Sequence, residues 1–151
     1  MVKIRPLAEF HADFPEDAPI EGEAAIAEWG GPEVVEAMAE FGGRGVSQAL
    51  AEIVRGLGYE VSPPRFAWEH GWEFSARSRL GSFWLQATDM SDKFILQTFD
   101  RAWRLWPDRS KHATFLLQLD EALRRDGRFS HLRWYAADYK DETCSELPVD
   151  R

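Results

Sequence analysis

The stretch Pro63-Pro64-Arg65-Phe66-Ala67-Trp68-Glu69-His70-Gly71-Trp72-Glu73-Phe74-Ser75-Ala76 decides the fold class, because the apolar period changes there from 3.6 residues to 2. Phe66, Trp68, His70, Trp72, Phe74 and Ala76 fall on one face of an extended chain, and Glu69, Glu73, Ser75 and Arg77 on the other. The pattern predicts a half-buried strand with an aromatic face. Gly71 interrupts it and marks a bulge or a close backbone approach. After a turn at Ser78–Gly81, Phe83, Leu85 and Ala87 alternate with Trp84, Gln86 and Thr88. Asp89-Met90-Ser91-Asp92 supplies the next turn, and Phe94, Ile95, Leu96 and Phe99 a third strand. Residues 66–99 therefore read as an antiparallel three-stranded meander.

Upstream of the two prolines the period is helical. Pro32 stands at a first helical position, with Val34, Val35, Met38 and Phe41 on one side and Gly42-Gly43 as a stop. Val46, Leu50, Ile53, Val54 and Leu57 then form the clearest buried stripe in the chain, ended by Gly56 and Gly58. Downstream, a helix over about 111–126 buries Phe115, Leu116, Leu119, Ala122 and Leu123 and closes with Arg124 and Arg125 before Gly127. Residues 131–135 form a short final strand. The fold class is α+β: N-terminal helices, meander, helix, strand.

At 151 residues, with 44% hydrophobic and 29% charged residues, the chain is sized for a single domain with a core of its own. Residues 1–31 carry scattered apolar side chains and Pro6, Pro15 and Pro19, so an irregular or extended lead-in is expected, with a short helix compatible with 22–29. The tail 138–151 is expected to fray. Residues 1–40 hold ten acids against Lys3 and Arg5, a net charge of −8 that equals the excess of the whole chain. Electrostatic partner choice therefore belongs to the N-terminal quarter.

Chemical motifs are sparse. Glu69 and Glu73 lie across the strand from His70, and four residues of strand span about 13 Å, beyond the roughly 5–9.5 Å of paired glycosidase carboxylates. A core histidine is the expectation for His70. His11, His70, His112 and His131 have no metal-binding spacing, and no Gly-rich loop is placed to cradle a phosphate, so neither metal nor cofactor is expected. Cys144, the single cysteine, sits in an acidic tail and reads as an idle thiol. With no disulfide framework, no apolar leader and no membrane-spanning run, a soluble cytoplasmic protein is expected.

Size, acidity and the layout of helices, meander, helix and strand are similar to those of small bacterial immunity proteins and, more loosely, of secretion chaperones. Chaperones of that kind continue with a further strand and helix, for which residues 136–151 hold too little apolar material. The resemblance is one of layout and carries no functional residue across. Arginine outnumbers lysine fourteen to four, a bias of GC-rich bacterial coding.

The leading expectation is a non-enzymatic protein-binding module, immunity-like or adaptor-like, whose acids Asp13, Glu16, Asp17, Glu21 and Glu23 engage a partner with a basic surface. A second is a small-molecule or catalytic pocket formed by Trp68, His70 and Trp72. A third is single-stranded nucleic acid on residues 101–111, where Trp103, Arg104 and Trp106 interleave with Arg101, Arg109 and Lys111. The net charge of −8 opposes the third.

Overall fold

The computed structural model describes residues 2–14, 29–102, 109–136 and 144–150. In chain order these form β1 (Leu7–Ala12), α1 (Pro32–Phe41), α2 (Arg44–Gly56), β2 (Glu60–Val61), β3 (Arg65–Phe66), β4 (Trp72–Ser78), β5 (Gly81–Asp89), β6 (Phe94–Asp100), α3 (Ser110–Arg125) and β7 (Phe129–Tyr135). The class is α+β, with three α-helices and one seven-stranded antiparallel sheet among the described residues.

The meander β4-β5-β6 is in place, with Phe74 opposite Leu85, Ala76 opposite Phe83, and Ala87 opposite Leu96. Its first turn is the two-residue loop Arg79-Leu80 between the paired Ser78 and Gly81. At its second turn Asp89 acts as a turn former, its Oδ1 accepting the Ser91 N–H at 2.8 Å. The buried stripe of α2 and the apolar face of α3 cover one side of this sheet. Val46, Leu50, Val54, Phe115, Leu116, Leu119 and Leu123 are fully buried against Phe74, Phe83, Leu85 and Leu96. Phe115 stacks on Phe83 at 4.5 Å between ring centroids.

Three expectations are corrected. The lead-in is not irregular throughout but extended and built into the sheet, because Leu7–Ala12 forms an interior strand between β6 and the edge strand β7. Its inward residues are only Ala8 and Phe10, both fully buried, too few to show alternation in a sequence scan. Second, the strand through 66–76 is broken. Residues 68–70 make a 3-10 turn, and β2 and β3 pair in succession with the same edge of β4. Pro63-Pro64 lies between them, where missing N–H groups cost nothing to a central ladder and blunt the sheet edge. The Ser62 hydroxyl substitutes there by accepting the Ser75 N–H at 2.8 Å.

Third, the tail is held over the part described. Trp134 and Ser145 exchange both backbone hydrogen bonds, at 2.8 and 2.9 Å, and Arg5 N–H reaches the Pro148 carbonyl at 2.7 Å. Val149 is buried, and Arg5 pairs with Asp150 at 2.6 Å. No helix among the described residues is long and apolar enough to cross a membrane.

Candidate functional site

The break in the aromatic strand builds the site. Gly71 has φ +87°, and a Cβ there would stand 2.0 Å from the Ala87 carbonyl oxygen of β5. Only glycine permits that approach. The turn before it closes through His70 N–H to the Ala67 carbonyl at 3.1 Å and Ala67 N–H to the Gly71 carbonyl at 2.7 Å. Thr88 Oγ1 on β5 donates to the His70 carbonyl at 2.6 Å and pins it. The chain therefore leaves the sheet after Phe66 and rejoins it at Trp72. Trp68, at the apex, holds φ +54°, a left-handed conformation that is strained for a bulky side chain.

Two tryptophans four residues apart thus meet different fates. Trp72 is 1% exposed and Trp68 48% exposed. Between them stands Phe66, its ring centroid 5.5 Å from that of Trp68 and 5.4 Å from that of Trp72. Trp29 meets Trp72 edge to face at 5.4 Å. Trp29, Phe66 and Trp68 wall a groove of about 510 Å³ that also takes in Val34 and Met38 of α1 and Pro64, with the buried Trp72 packed against the Trp29 and Phe66 rings. Flexible Met38 suits a surface that adapts to an occupant.

The polar chemistry around these rings is incomplete. Trp29 Nε1, Trp72 Nε1 and Arg44 Nε are buried without a hydrogen-bond partner, and the Arg44 guanidinium lies 5.6 Å from the centre of the Trp29 ring. Each orphaned donor costs about 1–3 kcal/mol, so this corner is less settled than the rest of the core. Charge beside the groove is negative: α1 presents Glu33, Glu36 and Glu40 to solvent without a base of its own, and Glu69 is exposed on the turn. Arg65 at the groove wall is paired with Glu73 at 2.9 Å.

His70 is neither a core histidine nor part of the groove wall. Its side chain is 67% exposed, with Nε2 3.6 Å from Glu69 Oε1. The 3-10 turn, by ending the alternation at Ala67, turns it outward. Asp13 is exposed just beyond β1. Glu16, Asp17, Glu21, Glu23, Trp103, Arg104 and Trp106 lie outside the described residues. Of the basic run, Arg101 donates to Ser75 Oγ at 2.7 Å, and Arg109 and Lys111 are exposed. Cys144 is half-buried, and burial, helped by Glu9 and Cys144, pushes the Tyr135 phenol above its ordinary range. Among the described residues no three His, Cys, Asp or Glu side chains stand together as a metal cage.

His112, 5% exposed on α3, has a strongly shifted proton affinity. Thr98 Oγ1 spends its proton on the Pro6 carbonyl at 2.8 Å, so it accepts from His112 Nε2–H at 2.9 Å and fixes a neutral tautomer. Burial lowers the His112 pKa to about 4, against a smaller opposing pull from Asp100. The unfolded chain takes up this proton near pH 6.5 and the folded chain does not until about pH 4. Stability from this group is therefore complete above pH 6.5 and falls by about 3 kcal/mol as pH drops to 4. In His112→Leu that share of the loss disappears from urea midpoints measured across the interval; an unchanged pH slope contradicts the assignment.

No protein-family model matches this chain, and neither a curated protein nor a solved structure matches it.

Proposed function

We propose that this chain is a non-enzymatic protein-binding module whose aromatic groove receives a basic, Lys- or Arg-bearing segment of a partner protein. The observation that carries the reading is Trp68, a large apolar side chain half-exposed at the groove mouth on strained backbone. Strain of about 1–3 kcal/mol persists where surrounding structure enforces it, and such positions concentrate at binding sites.

The acidic and aromatic features belong together. The segment that holds Glu16, Asp17, Glu21 and Glu23 ends, through Glu28, on Trp29 of the groove wall. Acidic charge steers a basic partner, and the indoles supply buried anchors and cation–π faces. An immunity or adaptor role fits this chemistry, and the single cysteine suits a reducing, cytoplasmic setting.

The test uses a short synthetic peptide of alternating Lys and Leu as the basic probe. Trp68→Ala weakens its binding at least tenfold while shifting stability by no more than about 0.5 kcal/mol, because a half-exposed side chain adds to recognition more than to the core. Met90→Ala, equally exposed at the β5-β6 turn, leaves affinity unchanged. Equal affinity of wild type and Trp68→Ala rules the groove out.

A further inference from the structure

We infer that His11 and His131 form a two-imidazole site for a borderline divalent metal ion of the Cu²⁺/Ni²⁺ class. The two residues sit far apart in the chain, and only the pairing of β1 with β7 joins them. That ladder keeps one register from Leu7–Tyr135 to Glu9–Arg133, then slips, so that His11 faces Ser130. The slip is a bulge in β7, and His131 takes it up with φ +55°. Bulges re-aim side chains, and histidine is one of the few residues enriched in left-handed backbone.

The result is two exposed imidazoles with ring centroids 4.6 Å apart, tilted by 35°. Two imidazoles bound cis at about 90° on one ion, with metal–nitrogen bonds of about 2.1 Å, have centroids about 4.5 Å apart. A tetrahedral angle spreads them further, so the spacing favours the tetragonal geometry of Cu²⁺ and Ni²⁺ over that of Zn²⁺. His131 Nδ1 lies 3.1 Å from Ser130 Oγ, and in the tautomer that donates Nδ1–H to that oxygen Nε2 is left for a metal. With two protein ligands the remaining positions fall to solvent, which places affinity well below that of a closed structural site.

The experiment is calorimetric titration of Cu²⁺, Ni²⁺ and Zn²⁺ separately into the full chain at neutral pH, with electron paramagnetic resonance of the Cu²⁺ form. Expected is one equivalent of Cu²⁺ in the order Cu²⁺ > Ni²⁺ > Zn²⁺, with hyperfine splitting from two imidazole nitrogens. His11→Gln and His131→Asn, the latter chosen because Asn tolerates left-handed backbone, each weaken Cu²⁺ binding at least tenfold and leave the urea midpoint in place. Cu²⁺ binding that persists in both variants, or a spectrum with one nitrogen, shows that the rings merely stack and overturns the site.

Discussion

Gly71→Ala is expected to lower folding stability by about 4 kcal/mol, a large part of the roughly 5–15 kcal/mol available to a domain. Gly71 combines φ +87° with ψ −121°, a region that costs a residue with a side chain about 1–3 kcal/mol. The new Cβ would also lie 2.0 Å from the Ala87 carbonyl oxygen and 3.0 Å from Thr88 Cα. Both are β5 backbone, paired with β4 on one side and β6 on the other, so neither withdraws without opening a ladder. Overpacking of that kind adds about 1–3 kcal/mol. Urea denaturation reads the effect as a lowered midpoint at constant slope. A loss below about 1 kcal/mol means that β5 does not confine the turn, and the account of how Trp68 is held then fails.

Trp134→Ala is expected to cost a comparable 3–5 kcal/mol through lost packing. Trp134 is fully buried in β7, opposite Ala8 of β1, and its Nε1 donates to Asp120 Oδ1 on α3 at 2.8 Å. It therefore ties the β1-β7 end of the sheet to the helical layer. Trp134→Phe separates packing from polarity: the phenyl ring refills most of the space, while Asp120 keeps only the Arg124 Nε bond at 3.0 Å. That variant loses about 1–3 kcal/mol, the usual penalty for a buried acceptor deprived of a donor. If Phe and Ala are equally damaging, the hydrogen bond rather than the indole volume dominates.

Long, periodic segments were legible in the sequence. The stripe Val46, Leu50, Val54 and the meander at 72–100 depend on local spacing, and the structure keeps both. The broken strand was half legible. Trp72, Phe74 and Ala76 do face inward as alternation requires, but Phe66, Trp68 and His70 continue the same period by composition alone. Gly71 was the only local sign that the chain leaves the sheet, and its φ depends on Ala87, which no local pattern reveals. Leu7–Ala12 was hidden because a short strand sandwiched between distant partners gains its stability from them rather than from its own propensity. The same reason hid the site. Trp29 and Met38 reach the groove only once α1 has docked beside the 3-10 turn, and His11 meets His131 only through a shifted register.

Binding of a basic protein segment in the groove of Trp29, Phe66 and Trp68 is the function proposed for this chain. Its most direct measurement is the indole N–H spectrum of the full chain, with each tryptophan assigned by substitution, during titration with the Lys-Leu peptide. Saturable shifts of the Trp29 and Trp68 signals are expected, weakened by salt, with the Trp29 shift lost in Trp68→Ala, while Trp134 stays still. Unmoved groove signals, or shifts spread evenly over all the tryptophans, would contradict it.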